Sequence, residues 1–149
     1  MSDIQFRQAD RDEILPLRYA VLCTGRPWAE AVFIGDDDEH TRHYGAFIPT
    51  PRGGAVVGCV SYMLTQYEGE SAWQLRGMAT RPDLFRAGVG RRLVGWAQRE
   101  LLAASPVRVF WCKARVAAIT FYEKLGWRVC SEEFVIENYG PHKKMMLRL

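Results

Sequence analysis

The 149-residue sequence lacks any run of about 18 apolar residues, so a helical membrane span is not expected. It opens without a charged-then-apolar leader, and the expectation is a soluble, cytoplasmic chain with no membrane partner. Its four cysteines, Cys23, Cys59, Cys112 and Cys130, form no C-x-x-C pair, which argues against a zinc ribbon or a dithiol redox site. Cys59, Cys112 and Cys130 sit in apolar, strand-like stretches, where a thiol packs as a small hydrophobe. Reduced core thiols fit a cytosolic protein. No His stands in a recognisable relation to Cys59 or Cys112, so neither is a candidate nucleophile. Charge of one sign is also scarce: 20 Lys and Arg against 17 Asp and Glu give +3. That is too mild to argue nucleic-acid binding, which rests on clustered phosphate neutralisation. A module of that kind would have to use Arg81, Arg86, Arg91, Arg92 and Arg99, and it is the least favoured reading.

What is present is an ordinary globular mix, 48% hydrophobic and 25% charged, with no repeat and no internal linker. Residues 1–149 therefore read as one domain. Ile4 to Arg7 alternate as a short strand. Asp10 or Asp12 can cap a helix carrying Ile14, Leu17 and Val21 on one face, with Pro16 tolerable only near its first turn. Gly25 and Pro27 end it. Strands are expected over 43–48, 56–64 and 71–80, with Gly77 a weak point in the last. A helix follows with Val89, Leu93, Trp96, Ala97, Leu101 and Ala104 on its apolar face. Residues 107–112 read as a buried strand and 116–125 as a helix stopped by Gly126. Strands over 128–136 and 143–149 close the chain. The order β, α, several β, then α-β-α-β-β is that of a mixed α/β fold.

The stretch "RPDLFRAGVGRRLVGWAQREL" puts Gly88 and Gly90 at a helix entrance. The Walker pattern fails because Arg91 and Arg92 follow Gly90. The dinucleotide fingerprint G-x-G-x-x-G fails at Leu93. The surviving G-x-G lets backbone approach an anion closely. Free N–H groups from about Ala87 to Arg91 and the helix dipole point to the same place. Arg86, Arg91 and Arg92 add positive charge. Taken alone, the two glycines are equally consistent with a simple tight turn.

"WQLRGMATRPDLFRAGVGRRLVGWA" and, about 30 residues on, "WCKARVAAITFYEKLGW" together resemble the GNAT superfamily of acyl-CoA-dependent N-acyltransferases. The first resembles its strand–loop–helix motif, in which [QR]-x-x-G-x-[GA] follows a strand ending L-A-V-x-P. Met78, Ala79, Thr80 and Pro82 match the strand end, and Gly88 and Gly90 the glycines. The second resembles N-x-x-x-x-A-x-x-F-Y-x-x-x-G-F, matched by Ala118, Phe121, Tyr122, Gly126 and Trp127. "GRPWAEAVFIGDDDEH" and the closing "EEFVIENYGPHKKMMLRL" look like a subgroup with a G-P-H turn before its last strand. Two positions depart: Phe85 stands in place of Gln or Arg, and Lys113 in place of Asn.

The resemblance implies a mostly antiparallel central sheet, flanked by helices and splayed at the cofactor strand. It also implies an acetyl-CoA donor and a primary amine acceptor. The cofactor residues it implies are Met78, Ala79 and Thr80, the loop Arg86, Ala87, Gly88, Val89, Gly90 and Arg91, and Lys113. Tyr122 is then the candidate acid for the departing thiolate. His142 is a candidate base because imidazole titrates near neutrality, although a lone His in a turn is often only a surface residue. Glu132, Glu133 and Glu137 are weaker alternatives. Arg26, Trp28 and Phe33 fall on the acceptor side, where Asp36 to Asp38 can attract a cationic amine. His40 and His43, with carboxylates beside them, invite a metal reading, but an exposed acidic loop is the expectation and no metal is assigned. A non-catalytic acyl-CoA sensor of the same fold is the alternative function. A homodimer is compatible with the resemblance.

Overall fold

The computed structural model describes residues 3–149. Its centre is an eight-stranded sheet: β1 Gln5–Ala9, β2 Arg42–Thr50, β3 Gly53–Tyr67, β4 Glu70–Thr80, β5 Val109–Arg115, β6 Arg128–Val129, β7 Phe134–Ile136 and β8 Gly140–Arg148. The order across the sheet is β1-β2-β3-β4-β5-β8-β6, with β7 also on β8. All pairings are antiparallel except β4 with β5. Three helices join the strands: α1 Arg11–Leu22, α2 Val89–Ala104 and α3 Ile119–Glu123.

Strand alternation sorts the helices onto opposite faces. Val60 and Tyr62 of β3 share a buried cluster with Val89, Leu93, Ala97 and Leu101 of α2. Cys59, one residue out of phase, packs with Ile14 and Leu17 of α1 instead. Truncating a side chain such as Leu93, which is fully buried, to Ala costs about 2–5 kcal/mol.

Local chemistry sets the element ends. Asp10 caps α1 in a reciprocal box: its side chain accepts from the Glu13 N–H, and Glu13 Oε1 accepts from the Asp10 N–H at 2.9 Å. Pro16 lies deeper in α1 than its first turn, on an exposed face. Its missing N–H leaves the carbonyl of Asp12, also an exposed residue, without its helical donor. The helix expected over 116–125 divides into a 3₁₀ turn, Val116–Ala118, and α3. The strand expected over 128–136 is broken, leaving β6 and β7 as separate short partners of β8.

The feature that positions the site is a bulge in β4. Gly58 pairs with Thr80 and Cys59 with Ala79, but Ser61 pairs with Arg76. Two residues, Gly77 and Met78, therefore oppose Val60 alone. Gly77 has φ +61°, a left-handed conformation open to glycine. A Cβ there would lie 2.8 Å from Arg18 Nε and 3.0 Å from the Phe33 ring. The weak point in the sequence is thus a bend held over packed side chains. β4 pairs with β5 only at Trp73/Phe110 and Gln74/Trp111. Beyond Gln74 the two strands part, which leaves the β5-facing backbone groups of β4 unclaimed by the ladder.

Candidate active site

The parting of β4 and β5 opens a cavity of about 580 Å³, within the size range of small-molecule sites. Its walls are Arg76 to Met78 of β4 and Cys112 to Arg115 of β5. Leu22 and Cys23 close it at the end of α1, Phe33 on the early loop, and Tyr139 and His142 on the last hairpin.

Tyr122 of α3 faces this cavity. Its ring is buried, tilted against Trp127 at 5.4 Å and edge-to-face with Phe121 at 5.1 Å. Its hydroxyl has no hydrogen-bond partner among the described residues. Burial pushes the phenol well above its ordinary value, with the Cys112 and Tyr62 groups adding to the shift. The group is therefore a neutral donor at physiological pH.

His142 of β8 is buried in the same wall and stacks on Phe134 at 6.0 Å. Its Nδ1 lies 2.8 Å from the Gly140 carbonyl. A carbonyl only accepts, so Nδ1 carries the proton and Nε2 keeps a free lone pair in the neutral ring. Glu30 is the one carboxylate in the lining. It accepts from Arg26 twice, at 3.0 Å, and from the Tyr139 hydroxyl at 2.7 Å. Arg26, and after it Tyr139, hold its carboxyl below the usual range.

At the other end of the cleft α2 begins. Gly88 has φ +75° and ends a 3₁₀ turn over Pro82–Ala87. The first intrahelical bond runs from the Arg92 N–H to the Gly88 carbonyl at 3.0 Å, so the N–H groups of Val89, Gly90 and Arg91 lack intrahelical acceptors. A Cβ on Gly90 would meet Met78 Cε at 2.7 Å and Thr80 Oγ1 at 3.0 Å. The helix mouth thus abuts the strand that lines the cavity.

A sheet splayed at one strand, a helix mouth on that strand and a buried tyrosine facing the gap agree with what the sequence comparisons find. Residues 31–129 match the family model described as "Acetyltransferase (GNAT) domain".

The chain belongs to the GNAT acetyltransferases.

The chain is 29% identical to the uncharacterised N-acetyltransferase YitI of Bacillus subtilis, over 88% of this chain and 87% of that one. Its fold is similar to that of an N-acetyltransferase from Lactobacillus plantarum, with a TM-score of 0.80, 18% identity and 98% of each chain covered. It is also similar to a chain of the NatC complex bound to Gag peptide and CoA, with a TM-score of 0.78, 17% identity and 99% of each covered. GNAT acetyltransferases use acetyl-CoA as acyl donor. The residues present fit that donor: free helix-mouth N–H groups for phosphate, a glycine contact that a side chain would fill, and an unpaired strand edge for amides.

Met78, Lys113, Tyr122, His142 and Phe33 all line the cavity. Thr80 and Gly90 meet at the helix mouth, while Ala79 turns its side chain to the α1 cluster and has only backbone to offer there. Arg86, Ala87 and Arg91 lie exposed around the mouth. Arg26 reaches the cavity through Glu30, and Trp28 packs on Tyr19 at 4.9 Å outside the lining.

The acidic loop needs correcting. Asp36 is buried, not exposed, and pairs with Arg18 at 2.6 Å. Arg18 also donates to the Ala31 carbonyl and to Ser61 Oγ, both at 2.8 Å. His43 Nδ1 lies 2.6 Å from Ser61 Oγ, and its Nε2 lies 3.0 Å from the Asp36 carbonyl. Asp37 pairs with Arg11 at 2.8 Å. These aspartates line a separate depression, in which Asp36 supplies the counter-charge that buried Arg18 needs. Asp37 and Asp38 are exposed, and none of the three lines the cavity between β4 and β5.

Sequence reading missed Arg76, Glu30 and Tyr139. Arg18 did carry a signal: it sits on the stripe of Ile14, Leu17 and Val21, where a charge must find a buried partner.

Proposed function

We propose that this chain transfers an acetyl group from acetyl-CoA directly to a primary amine of a small-molecule or peptidyl acceptor, with both bound at once. The observation that carries the reading is the unpartnered Tyr122 hydroxyl, held in the cavity that the β4–β5 splay opens.

Acetyl-CoA supplies an activated thioester. The N–H groups of Val89, Gly90 and Arg91 bind its phosphates, helped by Arg86 and Arg91. The free edge of β4 around Met78 and Thr80 binds its amide arm, and Lys113 lines the same passage. A backbone N–H of this edge stabilises charge on the acyl oxygen. Tyr122 delivers its proton to the leaving sulfur. Burial that raises the phenol also raises a thiol in the same desolvated cleft, which keeps the two matched. The attacking amine must be neutral, and His142 Nε2 is the base in the cavity with a lone pair free to take its proton. Phe33 and the Arg26-held Glu30 form the acceptor side, and Trp28 stands at its exposed rim.

Burial pushes the Cys59 thiol up to about 12 and raises Cys112 as well. Both are poor thiolates at neutral pH, which favours direct transfer over an acyl-enzyme. The test is CoA release from acetyl-CoA across a broad panel of primary amines. Turnover with one amine class supports the reading. Acetyl-CoA binding without turnover on any amine favours the non-catalytic sensor.

A further inference from the structure

Cations outnumber carboxylates in the cavity wall: Arg76, Lys113 and Arg115 against Glu30 alone. Glu30 is already engaged by Arg26 and Tyr139. None of the three lining cations has a carboxylate partner among the described residues.

Arg76 is the telling one. It and Arg18 both lie over the Phe33 ring, Arg18 at 4.0 Å and Arg76 at 5.0 Å from its centroid. Arg18 has Asp36 as counter-ion. Arg76 is half-buried and has only the Ile34 carbonyl and the Met63 sulfur to donate to. Burial pulls its pKa down, Asp36 opposes that only at a distance while paired with Arg18, and no carboxylate forms an ion pair with Arg76 among the described residues. Most of its five-donor fork remains unused in a cavity open to ligand. Lys113 and Arg115, two apart on β5, line the wall it parts from. The charge of Arg115 is felt at both Tyr122 and Cys23.

We infer that the acceptor carries a carboxylate beside its reactive amine, and that Arg76, with Arg115 in support, binds that carboxylate in the cavity above Phe33. This rests on the amine-acetylation reading and narrows it to amino acids and acidic amines. Polycationic amines are disfavoured by the same charges.

The experiment compares matched acceptors with saturating acetyl-CoA: the free amino acids, their amides and the decarboxylated amines. The free acids are expected to exceed their amides in kcat/KM by about tenfold to a hundredfold, the worth of a charged hydrogen-bonded contact. Arg76→Gln should collapse that ratio toward one, Arg76→Lys should restore part of it, and Arg115→Gln should reduce it. Thermal melts check that each variant is folded. If Arg76→Gln does not fold, Arg115→Gln and Arg76→Lys carry the test. Acids and amides used equally by wild type would overturn the inference while leaving amine acetylation standing. So would an equal loss on both classes in the variants. Succinyl-CoA is run as a second donor. An Arg76-dependent preference for it over acetyl-CoA would assign the anion to the donor and overturn the inference. If no amine is acetylated, the functional reading fails first. Calorimetric titration of the same free acids into the CoA-bound protein then decides the carboxylate site: Arg76-dependent binding sustains it, and no binding overturns it.

Discussion

Gly90 of α2 stands so close to Met78 of β4 that a Cβ on the glycine would lie 2.7 Å from Met78 Cε. The helix mouth and the cavity wall therefore meet at one point. What binds one must pass the other.

Replacing Gly90 with Val crowds Met78 and Thr80 and presses the helix mouth away from β4. Gly88→Val forces a β-branched residue into φ +75°, where such residues are outliers. Each should weaken acetyl-CoA binding by about tenfold or more, the loss of one or more charged hydrogen bonds. Phe85 is 61% exposed, and Phe85→Gln should change binding far less in either direction. Calorimetric titration with CoA measures all three. Equal effects from the glycine and phenylalanine changes would mean the backbone is not the main grip.

The buried pair Arg18–Asp36 predicts a contrast within the acidic run. Asp36→Ala strands a buried guanidinium and should cost about 3–5 kcal/mol. Asp37→Ala, at an exposed pair, should cost about 1 kcal/mol or less. Urea denaturation of the two variants reads the difference.

The Glu30–Tyr139 bond predicts a pH window for stability. Arg26, and after it Tyr139, hold the Glu30 carboxyl below its ordinary 4.5. Its contribution is thus present above that value and is lost as pH falls through the folded-state value. Glu30 raises the Tyr139 phenol above 10. That contribution is present below 10 and is lost as pH rises through the raised value. Tyr139→Phe should therefore lower Tm between about pH 5 and 10, with the gap to wild type closing on either side. A gap that does not vary with pH would contradict the bond.

Much of this was legible in sequence. The glycines marked the helix mouth because a tight turn into a helix is a local backbone feature, whereas Tyr122 stood out only through the resemblance of the F-Y-x-x-x-G-W segment to the family. The β4 bulge showed only as an odd Gly77, since a bulge is defined by the partner strand's register. Arg76, Glu30 and Tyr139 were invisible for a related reason. Glu30 and Tyr139 meet across 109 residues, and no local pattern encodes that. Asp36 was misjudged because a run of acids looks solvated until a buried arginine claims one of them, while Asp37 to Glu39 are exposed as expected.

The central claim is that the cavity performs acyl transfer with Tyr122 as the proton donor. The direct measurement is CoA release with acetyl-CoA and the best acceptor amine, wild type beside Tyr122→Phe, across pH 6 to 10. Burial raises this phenol well above 10, so the wild-type kcat should show no falling limb from Tyr122 loss within that range. The variant should fold normally, bind acetyl-CoA and lose about a hundredfold in kcat, the scale of general acid catalysis. A variant that matches wild type in kcat at every pH would contradict the account.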